Sequence, residues 1–169
     1  IPVAEDTGAI VELGALVLRT ACHQLAGWRR ANGGSAWCVS VNISARQLLD
    51  PDLLAVVQAA LGDAGVDPFD LILELNEAVL LTDSEQVLRR LQHLKDLGVR
   101  IAIDDFGTGY SSLSYLQQVP FDVLKIDRAF VSSLRHEAPP TTLVRTILDL
   151  SRTLGRTSIA EGVEDAIEL

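Results

Sequence analysis

The chain has 169 residues, 48% of them hydrophobic, and a formal net charge of −9. Its length suits about one domain with a sizeable core. The negative charge and the lack of a Lys/Arg cluster argue against binding to a nucleic-acid polymer. The two cysteines lack the CxxC spacing of zinc and redox sites, and unpaired thiols are typical of a reducing cytosol, so we expect a cytoplasmic domain.

Two further features bear on membranes and on the extent of the chain. The most apolar helical run, residues 9–18, contains Glu12 and is too short to span a bilayer. We therefore expect no membrane contact from this segment, although the parent chain can carry membrane or sensor domains. The sequence has no Met, even at residue 1, and residues 162–169 resemble the first part of a helix, so we interpret 1–169 as a single domain that is incomplete at both ends.

Helix-like and strand-like runs alternate along the whole chain. In chain order, the apolar spacing predicts a helix over 5–32 with Asp6 or Thr7 as a candidate cap, a strand over 37–44, a helix over 51–61, a strand over 70–75, a helix over 85–97, a strand over 100–104, a helix over 111–118, a strand over 121–126, a helix that ends near 154 and a strand over 157–160. Such alternation predicts an α/β fold of parallel strands. Because parallel crossovers are right-handed, we expect the five strands to be adjacent in chain order.

Polar side chains follow each predicted strand. They are Asn42 and Ser44; Glu74, Asn76 and Glu77; Asp104 and Asp105; Lys125 and Asp127; and Glu161, with Glu164 one turn further on. In barrels and open α/β sheets, active sites form where the carboxyl ends of the strands meet. We therefore expect these side chains to lie together at one edge of the sheet.

Each of these polar clusters also has a purely structural explanation. The alternatives are a capped turn at residues 42–44, a helix cap at Asp105, a pairing of Glu74 with an arginine, a pairing of Lys125 with Asp104 or Asp127, and a helix N-terminus at Glu161. Any one of them is a good explanation of its own cluster. Five strands that all end in oxygen ligands or a lysine, however, favour a functional site over five separate coincidences.

The stretch 101–105 carries the clearest chemical signal. Three apolar residues of a predicted core strand lead directly into Asp104 and Asp105, and Gly107 and Gly109 allow a tight backbone path after them. A hard divalent cation such as Mg²⁺, Mn²⁺ or Ca²⁺ neutralises two adjacent carboxylates well. With a nearby lysine and a free carboxylate as general base, such a site suits metal-assisted hydrolysis of a phosphoester.

Residues 104–113, Asp-Asp-Phe-Gly-Thr-Gly-Tyr-Ser-Ser-Leu, resemble the signature loop of EAL domains, the cyclic di-GMP phosphodiesterases of bacteria. Neighbouring motifs agree with that family in order and spacing: Val-Asn-Ile-Ser at 41–44, Glu-Leu-Asn-Glu at 74–77, Leu-Lys-Ile-Asp at 124–127 and Ala-Glu-Gly-Val-Glu at 160–164. The opening residues 1–8 fit as well. The resemblance covers essentially the whole chain.

The resemblance implies a partial (β/α)₈ TIM-like barrel that cleaves cyclic di-GMP to linear pGpG with Mg²⁺ or Mn²⁺. It also implies roles for individual residues: Asn42, Glu74, Asp104 and Asp105 as metal ligands, Lys125 next to the metal-bound water, Glu161 as a metal-site or general-base carboxylate, and Glu77 as the residue that holds the loop after Asp105. The family uses that loop in metal binding and dimerisation, so a homodimer is a further expectation.

The sequence departs from the family pattern in three places. The Glu-Ala-Leu motif that names the family is expected upstream of Ile1, a Gln-Gly-Tyr segment is expected downstream of Leu169, and Asn76 stands where the family usually has threonine. We therefore expect the 169-residue chain alone to be inactive or nearly so. The alternative function is a catalytically inactive cyclic di-GMP receptor or a protein-interaction module, but the retained Asp-Asp-Phe-Gly loop and lysine favour the enzyme.

Overall fold

The computed structural model describes residues 1–33, 37–81, 84–107, 116–132 and 140–164. Its centre is a sheet of five parallel strands: β1 (Val39–Asn42), β2 (Leu71–Asn76), β3 (Arg100–Phe106), β4 (Val123–Ile126) and β5 (Thr157–Ala160). The strands are adjacent in chain order, and every neighbouring pair is parallel. The predicted α/β class and strand order are thereby confirmed.

Helices connect the strands, as the alternating pattern predicts. They are α1 (Pro2–Thr7), α2 (Ala9–Ala31), α3 (Ala45–Leu49), α4 (Leu53–Ala64), α5 (Ser84–Asp96), α6 (Arg128–Ser132) and α7 (Pro140–Thr153), with 3₁₀ turns at Pro68–Asp70 and Glu77–Leu81 on either side of β2. The short helices α3 and α6 and both 3₁₀ turns are absent from the sequence prediction. Most of the predicted helix over 111–118 lies outside the described residues.

Strand side chains alternate between two faces of the sheet, and the two faces differ in what covers them. On the outer face, Leu73, Ile101 and Leu124 belong to one continuous core together with Leu18 of α2 and Leu91 of α5. This helix-covered layer contains most of the buried apolar side chains, and its burial is the main stabilising contribution to the fold.

The inner face carries a second, much smaller apolar cluster, made by Ile72, Ala102 and Val123 of the three central strands. Two residues further along each strand, the same face presents polar side chains instead. Apolar packing therefore fills the lower part of the inner face, and the carboxyl ends of the strands are left for polar groups.

The N-terminal helix is broken, which the sequence prediction of one helix over 5–32 does not include. Gly8 has a φ of 87° and separates α1 from α2, and no side chain caps the start of either helix. Arg46 donates to the carbonyl of Glu5 at 2.7 Å and lies where a Cβ on residue 8 would be. A left-handed glycine is thus required at the break, and the candidate caps Asp6 and Thr7 are wrong.

Helix α2 is 23 residues long and, with a mean hydropathy of 1.2 in its most apolar window, meets the length and composition of a membrane-spanning helix. The sequence prediction considers only residues 9–18 and judges that run too short to span a bilayer. The helix is longer, so the prediction is wrong about its length. Leu18, Cys22 and Leu25 of α2 are nevertheless fully buried in the core beneath the sheet. Packing within the fold therefore explains the buried side of α2, whereas Leu13, Leu16 and Val17 of the same helix are exposed.

Candidate active site

Lys125 is the centre of a polar cluster at the carboxyl ends of the strands. Its Nζ lies 2.8 Å from Oε2 of Glu74, 3.0 Å from Oδ1 of Asp104 and 2.6 Å from Oε1 of Glu161. These partners come from β2, from β3 and from the residue after β5, so the strand alternation delivers all four side chains to one place. The lysine is 8% exposed, and the cluster is therefore largely withdrawn from solvent.

The carboxylates keep this lysine charged in spite of its burial. Desolvation alone would lower the pKa of Lys125, but the hydrogen bonds to Glu161, Glu74 and Asp104 outweigh it and raise the pKa above its usual value. One positive charge faces three carboxylates, with Asp105 close by. The cluster thus has an excess of negative charge, which favours cations.

The geometry of Asp104, Asp105 and Glu161 fits a metal ion. One carboxylate oxygen from each lies within 4.8 Å of those from the other two, close enough for a single cation to contact all three. Oxygen-only donors of this kind match hard divalent ions such as Mg²⁺, Mn²⁺ or Ca²⁺. The residues present therefore fit the metal that the sequence predicts.

Asp105 has an unusual backbone conformation, with a φ of 54°. Few residues other than glycine adopt this region, and such residues cluster at functional sites. The turn is held by a hydrogen bond from the backbone N–H of Asp105 to Oδ1 of Asp104 at 3.1 Å. A second contact joins Nδ2 of Asn76 to Oδ2 of Asp105 at 2.7 Å.

The surroundings of Asp105 favour its protonated form. Burial raises the pKa of Asp105, and the charge of Asp104 raises it further. The hydrogen bond and charge of Asp127 act in the same direction, whereas the hydrogen bond from Asn76 opposes them. A carboxylate crowded by other carboxylates is one that gains from a bound cation.

Glu77 is 2% exposed, and its Oε2 accepts a hydrogen bond from the backbone N–H of Gly107 at 2.9 Å. Gly107 has a φ of 98°, and Phe130 leaves little space for a Cβ there. This contact anchors the start of the segment after Asp105. Residues 108–115 lie outside the described part of the chain, so the predicted role of Glu77 in holding that loop stays a prediction.

The other strand-end residues occupy different positions. Asn42 pairs with Glu74 in the strand register, and its side chain is exposed at the same edge. Ser44 accepts a hydrogen bond from the backbone N–H of Gln47 and forms a capping box at α3, so its structural explanation is the correct one. Glu164 pairs with Arg128 at 2.5 Å on the surface.

Asn76 and Asp127 are both predicted as strand-end residues, but their contacts with Asp105 are not predicted from the sequence. For Asn76 a signal exists, because it lies two residues after Glu74 in a strand and therefore points to the same face. Asp127 carries a comparable signal, because it follows Lys125 by two residues at the end of β4, but its contact with Asp105 depends on the left-handed turn there.

A parallel α/β sheet with acidic side chains gathered at the carboxyl ends of its strands is typical of barrel-type enzymes that use a metal ion. The chain belongs to the EAL domain family, which it matches over residues 1–169. EAL domains are metal-dependent, and the acidic cluster described above agrees with this property.

Individual relatives agree with the family. The chain is 44% identical over 165 residues to the bifunctional diguanylate cyclase/cyclic di-GMP phosphodiesterase MucR of Pseudomonas aeruginosa, and 39% identical over 165 residues to the cyclic di-GMP phosphodiesterase PdeR of Escherichia coli. These alignments cover 97% and 98% of the chain but 24% and 25% of the two relatives. The chain therefore spans about a quarter of their length.

Among solved structures, the MucR phosphodiesterase in its complex with c-di-GMP is similar, with a TM-score of 0.92 and 43% identity. The match covers 99% of this chain and 67% of that one. The five-stranded sheet is therefore similar to the TIM-barrel-like sheet of EAL domains.

Proposed function

We propose that this chain is part of a metal-dependent phosphodiesterase domain that hydrolyses cyclic di-GMP to linear pGpG in bacterial second-messenger signalling. The observation that carries the proposal is the Lys125 cluster, in which Glu74, Asp104 and Glu161 meet one buried ammonium beside Asp105. Membership of the EAL family and the names of MucR and PdeR support the choice of substrate.

The proposed ion is Mg²⁺ or Mn²⁺, held by Asn42, Glu74, Asp104, Asp105 and Glu161. When bound, a divalent cation would supply Lewis-acid activation of water and would stabilise the charge that develops on the phosphodiester. Carboxylate and amide oxygens at the sheet edge are suitable donors for either ion. Of these residues, Asp104, Asp105 and Glu161 already lie within ligating range of one another.

The chain's own residues have separate tasks in the reaction. Glu161 is the most exposed of the three partners of Lys125, with a side chain 35% exposed against 9% for Glu74 and 16% for Asp104, so it is the carboxylate that solvent reaches. We assign it the role of general base, which accepts a proton from the attacking water. The water oxygen bonds to phosphorus and the bond from phosphorus to the ribose oxygen breaks. The ribose oxygen takes up a proton from solvent, and Glu161 releases the proton it accepted back to solvent.

Lys125 orients the carboxylates and balances their charge. Because its pKa is raised, it remains an ammonium and acts as a donor, not as a base. A fixed positive charge beside the reacting phosphate would also stabilise the negative charge that accumulates there in the transition state. Removal of the ammonium therefore changes the orientation of all three carboxylates that pair with it.

One observation favours a second candidate function, a catalytically inactive cyclic di-GMP receptor. In the described arrangement, the ammonium of Lys125 pairs with one oxygen each of Glu74, Asp104 and Glu161. These three ion pairs by themselves tie the ends of the strands together. Binding of the nucleotide without turnover would then be the whole function.

Two further expectations accompany the proposal. We place the domain in the cytoplasm, where the buried thiol of Cys22 and the exposed thiol of Cys38 would stay reduced. We also propose a homodimer formed through the segment after Gly107. Residues 108–115 lie outside the described part of the chain, so this rests on the family resemblance alone.

The experiment that tests the function is turnover of cyclic di-GMP by the full-length protein, followed by chromatography while Mg²⁺ or Mn²⁺ is titrated. The wild type should form pGpG only with metal, and Lys125→Ala should lower kcat roughly 10²–10⁴-fold. Glu85→Gln is the control, since Glu85 is an exposed carboxylate on α5 that pairs with Arg89 and is not a member of the cluster. Binding without turnover at every metal concentration would select the receptor.

A further inference from the structure

The side chain of Asn76 is held at both ends of its amide. Its Oδ1 accepts a hydrogen bond from the backbone N–H of Ala78 at 2.9 Å. Its Nδ2 donates to Oδ2 of Asp105 at 2.7 Å. Because the first contact requires the carbonyl oxygen, the amide cannot rotate to face Asp105 with an acceptor. The turn that follows β2 therefore fixes a hydrogen-bond donor against Asp105.

Asp105 needs such a donor for geometric reasons. Its backbone turns away from β3 with a φ of 54°, so its side chain is not aligned by the regular strand. The charged groups facing it, Asp104 and Asp127, repel an ionised carboxylate. Of the partners described, Asn76 gives Asp105 a fixed donor directed at one oxygen and so selects one orientation of the carboxylate.

The hydrogen bond between Asn76 and Asp105 also links β2 to β3, and both strands contribute residues to the cluster. Asn76 is the last residue of β2 and pairs in register with Asp104, while Glu77 holds the N–H of Gly107. The end of β2 thus holds the turn of residues 104–107 at two points: at the Asp105 carboxylate and at the Gly107 backbone. A carboxylate held in this way has one oxygen committed to Asn76 and can turn the other toward Asp104 and Glu161.

We infer that Asn76 is a positioning residue that orients Asp105 for metal binding. The inference rests on the proposed function, because it gives a task to the site proposed there. Groups that hydrogen-bond to a metal ligand typically change metal affinity 10–100-fold when they are removed. Asn76 itself is assigned no contact with metal or substrate.

The same reasoning explains how asparagine can stand where the family usually has threonine. A threonine hydroxyl has one donor and can also accept, so it can donate to Asp105 while it accepts from the N–H of Ala78. Valine has the shape of threonine without the hydroxyl. The pair Asn76→Thr and Asn76→Val therefore separates the donor from the shape of the side chain.

The test is direct binding of Mn²⁺ to the full-length protein by calorimetry, with no nucleotide present. We expect Asn76→Val to weaken Mn²⁺ binding by roughly tenfold or more and Asn76→Thr to stay within about threefold of the wild type. Gln92→Leu is the matched control, since Gln92 donates to Asp96 at 2.9 Å on the exposed side of α5, an amide–carboxylate contact outside the cluster. It should leave Mn²⁺ binding unchanged.

A purely structural role gives a different result. Asn76→Val would then lower the unfolding temperature while its Mn²⁺ affinity matched that of the wild type, and the inference would be overturned. Equal weakening by Asn76→Thr and Asn76→Val would overturn it as well, because the hydroxyl donor would then have no effect. If the wild type binds no Mn²⁺, the proposed metal site fails and the inference fails with it.

Discussion

Nζ of Lys125 lies 2.6 Å from Oε1 of Glu161, which joins β4 to the residue that follows the neighbouring strand β5. The same ammonium reaches back to Glu74 on β2 and Asp104 on β3. One buried cation therefore ties together the ends of four strands and gives the proposed general base a fixed position. The active-site geometry and the stability of the sheet edge depend on the same contact.

Replacement of Lys125 by methionine should destabilise the metal-free protein. It leaves the three carboxylates with no opposing charge, and loss of one partner from a buried ion pair typically costs about 3–5 kcal/mol. We expect that loss in urea unfolding with EDTA, and a smaller loss with Mg²⁺, because a bound cation can replace the ammonium. Arg89→Met, which removes an exposed ion pair with Glu85, should cost less than about 1 kcal/mol.

The raised pKa of Asp105 predicts how stability changes with pH in the metal-free protein. The folded state binds this proton more tightly than the unfolded chain, where the pKa is 3.8, so stability falls as the pH rises through the interval between the two values. Asp105→Asn should remove this dependence. In EDTA, the variant should therefore gain stability relative to the wild type as the pH rises above about 4.

Urea unfolding at a series of pH values measures this difference. In saturating Mg²⁺ the order should reverse at neutral pH, since the wild type alone keeps the full set of carboxylate ligands. A stability difference between wild type and Asp105→Asn that does not vary with pH would contradict the environment described for Asp105.

Gly14→Ala in α2 should lower stability, for reasons of space. A Cβ at residue 14 would lie 1.7 Å from Nε2 of Gln47, whose Oε1 completes the capping box with Ser44. The buried amide would have to move and the cap would be lost, which costs roughly 0.5–2 kcal/mol. Gly27→Ala on the same helix meets no atom within 4 Å and should be neutral or stabilising by about 1 kcal/mol. Thermal unfolding of both variants tests the contrast.

Asp122 should contribute more to the free energy of unfolding than an exposed carboxylate such as Glu85. It accepts from Nζ of Lys95 at 2.7 Å and from the backbone N–H of Ile101 at 2.8 Å, so it connects α5, the start of β3 and the segment before β4. Asp122→Ala leaves a buried N–H and a lysine without this acceptor, and we expect a loss of about 1–3 kcal/mol in urea unfolding. An effect no larger than that of Glu85→Ala would show that the contact contributes little.

The sequence predicts the features that periodicity controls. The five strands are predicted from apolar runs, and their ends from the polar residues that follow: Asn42, Glu74, Asp104, Lys125 and Glu161. Because parallel strands bring their carboxyl ends to one edge, these residues are also expected to lie together. The break at Gly8 escapes this reasoning, since helical periodicity continues across it. The contact between Asn76 and Asp105 escapes it as well, because it depends on a left-handed turn and on the orientation of one amide.

The central claim is that Asp104 serves only as a metal ligand whereas Glu161 also accepts the proton of the attacking water, and kcat for cyclic di-GMP at saturating Mn²⁺ tests it most directly. In the full-length protein, Asp104→Asn should require more Mn²⁺ but recover much of its kcat, because an amide is a poorer ligand for a hard cation. Glu161→Gln should stay roughly 10²–10⁴-fold below the wild type at every Mn²⁺ concentration. Full activity of Glu161→Gln at saturating Mn²⁺ would contradict the account.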